Sequence, residues 1–332
     1  MSLELIVRIE RLRLRAPFRI SRGVKTHAEV VVAELRADGQ VGFGECVPYS
    51  RYGETPASVQ DQLVLAGARL ATGESARAVV DALPAGAARN ALDCALWDLE
   101  ARLGLGGVAE RLGRAPAAMA TAVTISLDTI DAMAAAAAAA SDAPVLKVKL
   151  DAHDPAERLL AVAGAAPGAR LIVDPNEGWT LPVLNAMADT IARLPVIMVE
   201  QPLPADDDAG LLGLAYPAPI CADEAVHTAA DVLQVADRYQ VINVKLDKAG
   251  GLTAALAMAD RARDLGLGVL AGCMVSSSLS IAPAMWIGAQ ADAVDLDGPW
   301  WLVKDRTGGC RVERGVLYPP QAGFWGVSGA RP

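Results

Sequence analysis

Residues 171–224 hold three runs that read alike: LIVD at 171–174, VIMVE at 196–200 and ICADE at 220–224. Each is an apolar stretch of strand length that ends on a carboxylate. Each then passes through a Gly/Pro/Asp loop into an Ala/Leu-rich stretch of helical composition. The theme extends in both directions, with Val145 to Leu150 upstream and Val241 to Lys245, Val269 to Cys273 and Ala293 to Asp297 downstream. From Lys149 to Lys245 the polar ends recur every 22 to 26 residues, about one strand plus one crossover helix. Such a series predicts a parallel sheet closed as a barrel, with the run Ala134 to Ala140 as an outer helix. In barrels of this kind chemistry gathers at the C-terminal strand ends, where these charged residues fall. A doubly wound open sheet is the alternative. It ordinarily carries a nucleotide loop, but no G-x-x-x-x-G-K-[ST] occurs here, and Gly42-Phe43-Gly44 precedes no helix.

Ahead of the series the pattern differs. Leu5 to Leu14 alternates, and Glu29 to Arg36 is Val-rich up to an Asp38-Gly39 turn, so both read as strands. From Asp81 to Arg102 the chain reads as helix, and Leu92, Leu96, Leu99 and Leu103 share one face. An α+β segment of roughly a hundred residues is expected there.

Of the 332 residues 53% are hydrophobic and 21% charged, a globular profile. The formal net charge of −9, with no basic stripe, argues against nucleic acid as a partner. The first ten residues include Glu4 and Arg8 and lack the apolar core of a signal peptide, and the Ala-rich run at 132–140 is too short to span a bilayer. A cytoplasmic location and no membrane partner are therefore expected. Five scattered cysteines, with no C-x-x-C pair, suggest neither a disulfide framework nor a structural zinc site.

A barrel would bring Asp174, Glu200 and Asp223 round one mouth, a donor set suited to Mg²⁺, although Asp at a strand end also serves as a helix cap. Lys147 and Lys149 lie two apart on one strand and so point to the same, interior face. Lys245 ends a strand nearly opposite. Lysines inside a barrel are costly unless they have a task. Removing the α-proton of a carboxylate gives an enediolate with a second negative charge, which a cation and Lys147 could meet. A lysine base must be neutral, so its pKa has to fall from ~10.4 toward ~8. Epimerisation further needs a base on one face and an acid on the other, which Lys149 and Lys245 offer.

These residues resemble the enolase superfamily, its muconate-lactonizing subgroup, and within that the dipeptide epimerases of the L-Ala-D/L-Glu type. The resemblance rests on Lys147-x-Lys149, Asp174-Pro-Asn176-Glu177, Glu200-Gln-Pro-Leu, Asp223-Glu224, Lys245 followed by Asp247-Lys248-Ala-Gly-Gly, and Asp295-Leu-Asp297-Gly-Pro. The segment AGAARNALDCALWDLEAR at 85–102 is similar to that family's cap helix. The fold it implies is α/β, a (β/α)7β modified TIM barrel over 116–309. An α+β capping domain over 1–115 is rejoined by the C-terminal residues, about 310–332. It also implies Mg²⁺ on Asp174, Glu200 and Asp223, acid/base roles for Lys149 and Lys245, and contact of Lys147 with the substrate carboxylate. Asp295 and Asp297 would hold the free ammonium of a dipeptide, in a role within cell-wall peptide metabolism and with a tendency toward homo-oligomers.

Arg22 and Tyr52, in early loops that cap such barrels, are candidates to read the substrate side chain, or are solvated loop residues. Asn176 and Glu224 are expected either beside the metal or a lysine or as structural caps only, and Lys248 as an exposed loop residue. Serines at 276–278 stand where many relatives carry a charged side chain, so the pocket for the second residue is expected to differ. An N-acylamino acid racemase or an o-succinylbenzoate synthase would use the same metal and lysines. Their substrates lack the free ammonium that the two aspartates suit. A catalytically silent homologue would be expected to have lost a ligand or lysine, and none is lost.

Overall fold

The computed structural model describes residues 3–326. The expected cap start at 1–2 and the last part of the C-terminal return, 327–332, lie outside the described residues.

The chain opens on a long antiparallel sheet, β1 (Glu4–Ile20), β2 (Gly23–Ala37) and β3 (Gln40–Cys46), with β2 in the middle. The Val-rich run of β2 is explained by burial on both faces. Val31, Ala33 and Leu35 pack under the cap helices, while Val30 and Val32 join the core shared with the barrel. Four helices follow: α1 (Pro56–Ala71), α2 (Ala76–Ala82), α3 (Ala87–Arg102) and α4 (Val108–Leu112). The single helix expected from Asp81 is thus two, broken at Pro84 and at Gly86, whose φ of 140° side chains rarely adopt. Leu92, Leu96 and Leu99 are buried on the predicted face of α3. Gly42 and Gly44 let that helix press against β3, since a methyl group on Gly44 would collide with the Ala91 carbonyl.

After β4 (Met119–Ala120) come the eight parallel strands β5 (Val123–Ile125), β6 (Val145–Lys149), β7 (Arg170–Asp174), β8 (Val196–Glu200), β9 (Ile220–Ala222), β10 (Val241–Val244), β11 (Gly268–Gly272) and β12 (Ala293–Asp295), neighbours in chain order. The helices α5 (Ile130–Ala139), α6 (Pro155–Ala165), α7 (Leu181–Arg193), α8 (Val232–Val235), α9 (Leu246–Ala249), α10 (Leu252–Asp264) and α11 (Ser278–Gly288) lie between them. The barrel expected from the repeated theme is present. Its first strand, three residues long, escaped the sequence pattern.

Two hydrogen bonds draw the first and last strands together, from the Ala122 N–H to the Val294 carbonyl and from the Leu296 N–H to Thr121 Oγ1, both 2.8 Å. The period of two along each strand sorts the interior into layers. Ala122, Val145, Ile172, Met198, Cys221, Val241 and Leu270 form an apolar plug at the base. Two or four residues further along β6 to β10 stand Lys147, Lys149, Asp174, Glu200, Asp223 and Lys245.

The C-terminal strands β13 (Arg311–Glu313) and β14 (Val316–Tyr318) pair with each other, and β14 pairs with β4. The chain then docks on the cap, where Trp325 donates to the Phe43 carbonyl at 3.0 Å and the Gly326 N–H to Asp98 at 2.7 Å. Among the described residues no helix is long and apolar enough to cross a membrane.

Candidate active site

A cavity of about 540 Å³ opens between the barrel mouth and the cap. Lys147, Lys149, Asp223, Lys245, Asp295 and Asp297 line it from the barrel side, and Arg22, Tyr49 and Tyr52 from the cap. Asp174 and Glu200 are fully buried at neighbouring strand ends. Strands β6 and β10 are four places apart in an eight-stranded barrel, so Lys149 and Lys245 approach the cavity from opposite sides.

The rim is a buried network of ion pairs. Lys147 Nζ lies 2.7 Å from Glu200, 2.8 Å from Asp295 and 3.0 Å from Asp174. Lys149 Nζ lies 2.5 Å from Asp174, and Lys245 Nζ 2.6 Å from Asp223. Burial alone would lower Lys147, but Asp295, Glu200 and Asp174 outweigh it and hold the ammonium well above its usual range. Burial and then Asp174 push Glu200 up to about 7. Against burial, Lys149 and Lys147 bring Asp174 down to about 2. The lowered base lysine expected from the chemistry is not what these contacts produce at Lys245. Burial would lower it, yet Asp223 and Glu200 raise it well above the ordinary value.

Two expectations about individual residues need revision. Lys248 is no exposed loop lysine: it is 2% exposed. Its Nζ donates to Asp223 Oδ1 and the Asp223 carbonyl at 2.6 Å, and to the Val226 and Asn243 carbonyls at 3.0 Å. The short α9 turns it inward. Ser276 to Ser278 do not form the cavity wall. Ser277 is held by Glu45 and Ser278 by Asp305, and Cys273, Met274 and Val275 face the cavity instead. Arg22 lines the cavity but is already engaged, donating to Glu224 at 2.5 Å, to Glu177 at 2.9 Å and to the Asn176 carbonyl at 2.7 Å.

Tyr52 reaches the cavity with its ring against His227, centroids 4.3 Å apart. Asn176 lies beside Asp174, its N–H donating to Oδ1 at 2.9 Å.

Asp295 and Asp297 both face the cavity, with Leu296 buried behind them against Gly288 of α11. Their surroundings differ. Asp295 Oδ2 is on Lys147, while its buried Oδ1 has no hydrogen-bond partner. Asp297 Oδ2 accepts the Thr124 N–H at 2.8 Å, adding to the barrel seam, and Trp301 Nε1 at 3.2 Å. Burial and then Asp295 raise Asp297 to about 6.

Two site residues carry no charge and were not singled out in the sequence. Asn243 donates to Glu200 at 2.9 Å, and Gln201 accepts the N–H groups of Asp223 and Ala225 at 2.8 and 3.0 Å. The position of Asn243, two before Lys245 on one strand face, was the available signal.

Comparison with known proteins agrees with this architecture. Residues 2–113 match the mandelate racemase/muconate lactonizing enzyme N-terminal domain, and residues 128–328 the enolase C-terminal domain-like family. The L-Ala-D/L-Glu epimerase of Escherichia coli (strain K12) is 46% identical over 92% of this chain and 96% of its own. The N-acetyl-D-glutamate racemase of a Pseudoalteromonas species is 42% identical over 86% and 91%. An enolase family member from Agrobacterium tumefaciens with homology to dipeptide epimerases, solved with sodium and L-Ala-L-Glu, is 42% identical with a TM-score of 0.94, covering 97% of this chain and 99% of that one. A dipeptide epimerase from Methylococcus capsulatus, solved with Mg and L-Arg-D-Lys, is 32% identical with a TM-score of 0.87, covering 97% of this chain and 98% of that one.

Proposed function

Because the chain belongs to the enolase superfamily, in its mandelate racemase/muconate lactonizing branch, we propose that it is a Mg²⁺-dependent dipeptide epimerase of the L-Ala-D/L-Glu type. The observation that carries this reading is the pair of lysines, Lys149 and Lys245, facing one cavity from opposite sides. A racemising site needs that arrangement, since one group removes the α-proton and the other returns it on the opposite face.

By its chemistry the donor set suits a hard divalent cation, although in this structure the carboxylates are turned to lysines, and among the described residues no three acidic side chains converge on one point. Asp174, Glu200 and Asp223 are all-oxygen, buried and consecutive in the sheet, and Glu200 Oε2 has no hydrogen-bond partner although an ammonium lies near it. These three carboxylates would hold the cation, which supplies positive charge where the substrate carboxylate gains its second negative charge. Lys147, beside Glu200 and Asp295, would pair with that carboxylate. Lys149 and Lys245 would move the proton at the α-carbon of the C-terminal residue. Asp295, with one oxygen free of protein partners, and Asp297 would receive the substrate ammonium. Arg22 and Tyr52 would bound the side-chain pocket from the cap, Arg22 within its carboxylate contacts. Asn243 and Gln201 would keep Glu200 and the Asp223 backbone in place.

A second reading, racemisation of an N-acylamino acid, is favoured by the 42% identity to an N-acetyl-D-glutamate racemase and by the structural use of Asp297 Oδ2 at the seam. The same pair of lysines serves both. A dipeptide library and its N-acetylated counterpart, incubated in D₂O with Mg²⁺ and read by mass spectrometry, separates them. A one-deuteron gain by free dipeptides supports the first reading, and gain only by acylated compounds replaces it with the second. No gain by either sinks both and leaves a catalytically silent homologue.

A further inference from the structure

Beyond the end of β7, Asn176 and Glu177 both have left-handed backbones, with φ of 49° and 65°. Non-glycine residues adopt that region rarely and stay there only where their surroundings hold them. Much of the hold here comes from the cap. The Glu177 side chain, 8% exposed, accepts from Arg22 Nη1 at 2.9 Å, from Arg51 Nε and Nη2 at 2.9 and 3.0 Å, and from the Ala205 N–H at 3.0 Å. The contact with Arg51 is a bidentate fork, among the stronger and more directional ion pairs. On the same turn Asn176 donates to both oxygens of Asp174, at 2.9 and 3.2 Å, and its carbonyl receives Arg22 and Ser21 Oγ. Gly178 completes the seat: a Cβ there would stand 3.1 Å from that of Ser21, so the hairpin tip rests directly on the turn.

We propose that Glu177 is a positioning residue. Its one carboxylate seats two cap segments, the hairpin tip at Arg22 and the turn at Arg51, on the barrel turn that carries Asp174. Asp174 keeps its own hold on this turn through Asn176, so what Glu177 sets is the enclosure of the cavity. Glu177 itself does not line the cavity, whereas Arg22, Ser50 and Tyr52 do, so it acts through them. Only the kinetic consequence rests on the epimerase reading.

The test is hydrogen exchange on the full chain without substrate, comparing the unaltered protein with Glu177→Gln and Arg51→Gln. In Glu177→Gln the amides of residues 20–25 and 50–53 should exchange together, about tenfold faster or more, whereas Arg51→Gln should loosen 50–53 alone. With L-Ala-L-Glu, Glu177→Gln should raise KM about tenfold and leave kcat within about threefold, because binding must then order the loops that Glu177 had ordered in advance. Unchanged exchange in both cap segments of a folded Glu177→Gln variant overturns the proposal, as does a fall in kcat at constant KM. Should that variant not fold, unchanged exchange at 50–53 in Arg51→Gln overturns it instead. Inactivity toward every dipeptide would sink the proposed function and leave the exchange result to decide this one.

Discussion

The barrel rim and the cap loops face each other across one cavity, and they are built differently. On the rim Lys147, Lys149, Asp174, Glu200, Asp223 and Lys245 are each at most 7% exposed, fixed on strands or directly at their ends. Across from them Arg22 and Arg51 come from a hairpin tip and a short turn, with side chains 26% and 42% exposed. Removing one partner of a dry ion pair leaves an uncompensated buried charge and is strongly felt, whereas a partly solvated pair contributes little by itself. The difference teaches a division of labour. On the proposed function, the reacting groups would sit where the geometry is rigid and buried, and the groups that enclose the substrate where the chain can adjust.

The largest effects should therefore come from the rim. Excess EDTA should abolish turnover and added Mg²⁺ restore it, and Glu200→Gln should cost on the order of a thousandfold in kcat, several kcal/mol of charge stabilisation. Full activity in EDTA would break the comparison at its base. Next, Lys149→Ala and Lys245→Ala should each lower epimerisation by about 10²- to 10⁴-fold. One of the two should retain deuterium exchange with only one epimer. A near-normal rate in either variant removes that lysine from the mechanism.

The substrate's amino end comes third. Blocking it should cost at least about a hundredfold in kcat/KM, since charge-assisted bonds to Asp295 and Asp297 are lost. Asp297→Asn should shrink that preference. The sign with pH follows from Asp297, which burial and Asp295 raise to about 6. It is ionised above that value and neutral below, so kcat/KM for free dipeptides should decline as pH falls through about 6. An acid limb unaltered by Asp297→Asn would count against its role.

The smallest catalytic effect should come from the cap's own core. Gly44→Ala forces a methyl group onto the Ala91 carbonyl and should destabilise the fold by about 1–3 kcal/mol, read as a lower Tm, with kcat per folded molecule little changed. A large loss of kcat at unchanged Tm would mean that the cap's packing takes part in the chemistry.

How much of this was legible beforehand follows from the range over which each signal acts. The repeated apolar run ending in Asp174, Glu200, Asp223 or Lys245 is local, and a period of two carries each such residue to the same interior face. The sequence by itself therefore determined the barrel and the composition of its rim. Lys248 was misjudged because its acceptors, Asp223 and Val226, are 25 and 22 residues away, and no local pattern separates a lysine in a short helix that turns inward from one in a solvated loop. Ser277 on Glu45 and Arg22 on Glu224 join residues 232 and 202 positions apart. Strand β5 is only three residues long, too short for a periodic signal. Tertiary structure alone decided these features, because a hydrogen bond depends on distance and direction in space, and the chain fixes those only once the cap has folded back over the barrel.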